Sequence, residues 1–317
     1  MAKYRNSLPQ LNGGLFLTDG GIETTLIFHD GLDLPYFAAF DLLKDQAGQA
    51  ALRRYFSSHA SIARENNCGF ILESPTWRAS RDWGSKLGYS DDDMAAVNRQ
   101  SIALLLDLRR IFESERAPMV ISGCVGPRGD GYNPGAVMTA EEAQSYHATQ
   151  IGVFAETEAD MVTAITMTNL PEAIGVTRAA QAAGMPVVIS FTVETDGRLP
   201  DGETLKDAIE AVDAATGNGP AYFMINCAHP DHFDGALAAG ESWVKRIRGL
   251  RANASRLSHA ELDEATELDD GNPAELGRQY RDLRRKLGTI TVMGGCCGTD
   301  HRHIEAICHA CTTAAAA

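Results

Sequence analysis

Seven cysteines stand in the 317-residue chain, and three of them are placed where their sulfurs can act together. Cys296 and Cys297 are adjacent inside the turn Gly294-Gly-Cys-Cys-Gly298, and Cys227 closes the apolar run Ala221-Tyr-Phe-Met-Ile-Asn226. Three thiolates brought to one point are the donor set of a zinc site, because Zn(II) takes sulfur readily and prefers four tetrahedral ligands. A fourth position then stays open. Adjacent cysteines reach one ion only if the backbone bends beside them, and Gly294, Gly295 and Gly298 supply a chain that adopts such torsions and permits close approach. The plain alternative is a pair of buried thiols on a glycine-rich turn, since free cysteine is among the most buried residue types. Placement decides between the two.

The elements that position these cysteines follow from hydrophobic period. Short apolar runs at 15–18, 70–73, 119–122, 161–165, 186–192, 221–226, 246–250 and 289–293 are continuous rather than alternating, as in strands buried on both faces of a parallel sheet. Helical stretches lie between them. Ser90 with Asp93, and Thr139 with Glu142, form capping-box patterns; after the first, Met94, Val97, Ile102, Leu105, Leu108 and Phe112 line one face. Eight such alternations predict a single (β/α)8 barrel spanning residues 1–317. No G-x-G-x-x-G follows the first strand, no phosphate-binding G-x-x-x-x-G-K-[ST] occurs, and no repeat is present beyond the alanines at 314–317. In such a barrel chemistry collects where the strands end. Cys227 and Cys296-Cys297 share that mouth. Cys124 follows the third strand and is the rival ligand, whereas Cys68, ahead of its strand, and Cys308 and Cys311, on the closing helix, read as structural.

Composition narrows the partners. Twenty-eight basic residues against 42 acidic ones give a net charge of −14, which argues against nucleic acid and anionic membrane. An odd cysteine count and an N-terminus, MAKYRNSLPQ, without an apolar core predict a cytoplasmic protein with free or metal-bound thiols. Between residues 252 and 276, Glu261, Asp263, Glu264, Glu267, Asp269 and Asp270 crowd around few apolar anchors, the pattern of a solvated excursion.

Gly294-Gly-Cys-Cys-Gly-Thr299 with His303-Ile304, Asn226-Cys227, and Thr18-Asp-Gly-Gly21 together resemble the homocysteine S-methyltransferase family. Ser122-Gly123 with Gly126-Pro127, and Phe191-Thr192 with Gly197-Arg-Leu-Pro200 and Gly202-Glu-Thr204, extend the resemblance over almost the whole chain. It implies a barrel-mouth zinc held by Cys227, Cys296 and Cys297, a homocysteine thiol as acceptor, and a cationic sulfonium or quaternary ammonium as methyl donor, with methionine as product. It also implies that Asp19, beside Gly20 and Gly21, holds the acceptor's amino group; on local sequence alone Asp19 reads first as a turn residue or cap, and the resemblance reverses that order. The chemistry is self-consistent. Metal coordination removes the thiol proton and leaves a sulfur lone pair. In-line transfer from a donor that departs neutral needs no general acid, so no catalytic residue is assigned beyond the metal site.

Two departures from the family pattern stand out. Many members carry a glutamate after the fourth strand that contacts the substrate amine; here the stretch is Thr163-Ala-Ile-Thr-Met-Thr-Asn-Leu-Pro171, without a carboxylate. Thr166, Thr168 or Asn169 is then the substitute acceptor, or the acceptor is another thiol. The seventh-strand region, Leu250-Arg-Ala-Asn-Ala-Ser255, lacks the expected Pro-Asn-Ser. Trp77, Trp83 and Tyr132 offer aromatic faces for a cationic donor or ordinary packing. Glu23 suits a helix start, and His229 and His232 suit loop roles near the metal. A zinc-thiolate redox sensor is the competing reading from another class, and a separate corrinoid protein is compatible with the chain's length.

Overall fold

The computed structural model describes residues 1–312; the alanines at 314–317 lie outside them. Eight parallel strands close in sequence order into one barrel. They are β1 (Phe16–Leu17), β2 (Gly69–Glu73), β3 (Met119–Val125), β4 (Met161–Met167), β5 (Val187–Thr192), β6 (Tyr222–Asn226), β7 (Ile247–Ala252) and β8 (Val292–Gly295). Closure is made at β1, where Phe16 pairs with both Gly69 of β2 and Val292 of β8. Every expected run is a strand. Four extend beyond the expected runs, β3 through Cys124 to Val125, β4 to Met167, β7 through Arg251 to Ala252 and β8 to Gly295, because polar side chains and glycines inside the barrel do not interrupt the backbone ladder.

Seven long helices pack outside: α1 (Gln46–Glu65), α2 (Asp91–Phe112), α3 (Ala140–Ala155), α4 (Leu170–Ala182), α5 (Leu205–Thr216), α6 (Pro273–Leu287) and α7 (His301–Thr312). Both expected capping boxes form, at Ser90 for α2 and Thr139 for α3. The strict alternation breaks once. Between β6 and β7 the described chain makes only short turns, Pro230–Phe233, Asp234–Ala236 and Trp243–Arg246, across a segment punctuated by Gly235 and Gly240.

Alternation along each strand sorts the side chains into two cores. Phe70, Leu72, Ile121, Val162, Ile189, Phe223 and Leu250 face the helices. Phe16, Ile71, Val120, Met161, Val188, Met224 and Val292 fill the barrel floor. One period further toward the mouth the interior turns polar. Glu73, Ser122, Thr163, Ser190, Asn226 and Arg251 follow the floor positions by two residues and are all buried. The floor stabilises the closed sheet, and the polar layer above it presents chemistry to the mouth.

Candidate metal centre

Cys227 is the residue after β6, and its backbone turns into the left-handed region at φ 53°. That conformation is uncommon outside glycine and persists where surrounding contacts impose it. Here the Cys227 amide donates to the Arg251 carbonyl at 3.1 Å, and its carbonyl lies 2.6 Å from His259 Nε2. Cys296 and Cys297 follow β8, in a loop locked by Thr299, whose hydroxyl donates to the Cys296 carbonyl at 2.7 Å. A side chain on Gly21 would come within 2.5 Å of that same carbonyl, so the close approach of the β1 loop to the cysteine loop requires glycine there.

The three sulfurs are brought together as the spacing implies, with all of them within 4.8 Å of one another. Cys227 and Cys297 Sγ are 4.0 Å apart. Tetrahedral bonds of about 2.3 Å place zinc-bound sulfurs roughly 3.8 Å from each other, so this separation fits the ion. Cys227 and Cys296 are joined as a disulfide, which leaves Cys297 as the free thiol of the cluster. Desolvation pushes that thiol up to about 11, so without a cation beside it the sulfur keeps its proton at neutral pH. The rival ligand is set aside by geometry: Cys124 lies inside β3, buried and outside the cluster. Cys68 and Cys308 sulfurs sit 3.9 Å apart, buried with Cys311 in the outer core.

Of the cluster's neighbours, Asn226, Thr166 and Tyr132 already stand out in the sequence, and His259 does not. Asn226 Nδ2 lies 4.0 Å from Cys296 Sγ and donates to Thr166 Oγ1 at 2.8 Å, while its Oδ1 accepts from the Thr166 amide at 3.0 Å and from Ser190 Oγ at 2.6 Å. Thr166 itself has φ 64°, an outlier for a β-branched residue, and these two bonds hold it there. Tyr132 places its hydroxyl 3.4 Å from Cys297 Sγ and stacks its ring on His259 at 4.0 Å. The acidic excursion is therefore not wholly solvated, because its short helix His259–Glu264 brings His259 against the metal loop.

Asp19 is 2% exposed; Tyr55 donates to Oδ2 at 2.9 Å, while Oδ1 has no hydrogen-bond donor and faces Arg251 Nη2 in an ion pair at 2.9 Å. The Gly21 amide donates to the Thr299 carbonyl at 2.9 Å, and the Gly20 carbonyl accepts from Tyr55. Thr168 accepts from Asn169, which caps α4 by accepting from the Glu172 amide at 3.0 Å. Trp77 and Trp83 each already carry a cation, since the Arg78 guanidinium stacks on a face of both, 4.0 and 3.7 Å from the ring centres. Glu23 lies in the turn Ile22–Thr24. His229 caps the Asp231 amide and His232 contacts the Arg256 carbonyl, so both serve the loop and neither joins the sulfurs.

The chain has relatives among known proteins. The family model for homocysteine S-methyltransferase matches residues 16–311. The chain belongs to that family. Among curated proteins, homocysteine S-methyltransferase 4 of Zea mays is 22% identical, covering 94% of this chain and 90% of its own. Selenocysteine Se-methyltransferase of Brassica oleracea var. italica is 24% identical, covering 93% and 88%. The fold is shared with the homocysteine methyltransferase MmuM of Escherichia coli. Its metallated form superposes with a TM-score of 0.74 at 18% identity over 96% of this chain and 98% of that one. Its oxidized form gives 0.74 at 19% identity over 95% and 97%. As a family member this chain is a methyltransferase, with a cysteine cluster able to hold a metal. No helix among the described residues is long and apolar enough to cross a membrane.

Proposed function

We propose that this methyltransferase is zinc-dependent and moves a methyl group from a cationic sulfonium or quaternary ammonium donor to the thiol of homocysteine, forming methionine in the cytoplasm. The observation that carries the reading is the convergence of Cys227, Cys296 and Cys297 at the barrel mouth. Their donor set fits zinc, which when bound by three thiolates lowers the pKa of a thiol in its fourth position and keeps that sulfur nucleophilic.

This chain's residues supply the rest. Tyr132, packed on His259, closes the side of the cluster next to Cys297 and limits water around the reacting sulfur. Asp19 with Gly20 and Gly21 forms the wall on which the acceptor's amino-acid end rests, and Arg251 fixes Asp19 in place. The acceptor sulfur attacks the methyl carbon in line; the new C–S bond forms as the donor's bond to its cationic sulfur or nitrogen breaks. The donor leaves as a neutral thioether or amine, and the thiol proton has already passed to solvent.

Reduced, zinc-loaded protein incubated with homocysteine and S-methylmethionine, S-adenosylmethionine, betaine or a dimethylsulfonium compound should yield methionine and one demethylated donor by mass detection. A second reading draws on the Cys227–Cys296 disulfide: a thiolate cluster that releases metal on oxidation would serve a redox sensor. Absence of methionine across the donor panel at verified zinc occupancy would favour the sensor or a different acceptor thiol.

A further inference from the structure

We propose that Glu73 and Arg251 read the two charged ends of the acceptor's amino-acid group, Glu73 taking the ammonium beside Asp19 and Arg251 taking the carboxylate. The inference rests on the homocysteine reading and assigns to β2 and β7 a task for which the end of β4 has no carboxylate.

The groups at the end of β4 are spent. Thr166 is bound on both polar atoms by Asn226, Thr168 accepts from Asn169, and Asn169 caps α4. Asp19 is neutralised by Arg251. Besides Asp19 Oδ1, which has the Arg251 ion pair but no hydrogen bond, two buried atoms of opposite charge in this interior region lack hydrogen-bond partners: Glu73 Oε2 and Arg251 Nη1. Their residues are 4% and 5% exposed. Buried polar atoms are nearly always paired, so an acceptor and a donor left open together call for a ligand carrying a cation and an anion.

Arg251 is held for this task. Its Nε donates to the Gly295 carbonyl at 3.1 Å and its Nη2 to the Gly20 carbonyl at 3.3 Å, which leaves Nη1 as the remaining corner of the guanidinium. Gly295 immediately precedes Cys296, so the fork lies one residue from the metal loop. Glu73 sits two positions beyond the floor residue Ile71, on the interior face. Burial, with the Asp19 carboxylate nearby, pushes its carboxyl up to about 7 against the pull of Arg251 and of the Ser122 and Thr163 hydroxyls, and an arriving ammonium would hold it ionised.

Calorimetric titration of reduced, zinc-loaded protein with four thiols tests the pair: homocysteine, 3-aminopropane-1-thiol without the carboxylate, 4-mercaptobutanoate without the amine, and propane-1-thiol with neither. In Glu73→Gln, Kd for homocysteine and the aminothiol should rise about tenfold or more, with mercaptobutanoate and propanethiol unchanged and zinc content intact. Arg251→Lys, which keeps the charge but loses the fork, should weaken homocysteine and mercaptobutanoate instead. Because Arg251 also anchors Asp19, Glu73→Gln decides alone if the lysine variant does not fold. An equal effect on all four thiols, or none on the amines, overturns the proposal while leaving the thiol acceptor standing. Failure of every thiol to bind the wild type overturns the homocysteine reading and the proposal with it.

Discussion

At the scale of single residues, the thiols and the charges behave differently under substitution. Cys227→Ser, Cys296→Ser and Cys297→Ser should each lose zinc or bind it far more weakly, whereas Cys124→Ser should retain one zinc per chain by elemental analysis under reducing conditions. Asp19 is less simple than its motif implies. Asp19→Asn breaks a buried ion pair and leaves the Arg251 guanidinium with Glu73 as its nearest opposite charge, a loss on the order of 3 kcal/mol in denaturant unfolding. Adding Arg251→Met to that variant should recover part of the loss, which a double-mutant cycle would read. The cysteines were legible in the sequence because the Gly-Gly-Cys-Cys-Gly turn advertises their bend. The partner of Asp19 was not. Arg251 stands far along the chain, and only barrel closure brings β7 and β1 loops to one point. A charged residue inside an otherwise apolar strand end was the available signal, and Glu73 carried the same one.

At the scale of elements, the strands were legible because burial on both faces makes their apolar runs continuous, and α2 and α3 announced themselves by their caps. What no period reveals is the geometry after a strand ends. Cys227 and Thr166 both enter the left-handed region, and the side chain that ties them is Asn226, the last residue of β6. Asn226→Ala removes the partner of the buried Thr166 amide as well as the neighbour of Cys296. Unfolding in urea should show a loss of about 1–3 kcal/mol from the orphaned groups. Competition with a chelator should show zinc affinity reduced by about tenfold or more, as is usual when a group that orients a ligand is lost. Asn226→Asp, which keeps an acceptor for the Thr166 amide, should restore stability more than metal affinity. The missing long helix between β6 and β7 escaped the reading for a related reason: glycine and short turns there leave no amphipathic pattern to contradict eight alternations.

At the scale of the whole molecule, the metal cluster spans β7, beside the strand β8 that closes the barrel onto β1. Cys227 is carried by β6 and Cys296 with Cys297 by β8, so an ion held by all three bridges the strands on either side of β7. Binding to the folded chain alone must then stabilise the barrel as a unit. Zinc at about a thousandfold above its Kd contributes roughly 4 kcal/mol by mass action, a shift of several degrees in Tm for a domain of this size. The effect should depend on redox state, because a sulfur engaged in the Cys227–Cys296 disulfide is not a free thiolate donor. Scanning calorimetry of reduced protein should show Tm rising with zinc, whereas oxidised protein should show little response, and reduced Cys297→Ser should behave like the oxidised chain. Equal stabilisation of the reduced and oxidised forms would place the zinc elsewhere and remove the cysteine cluster from the mechanism.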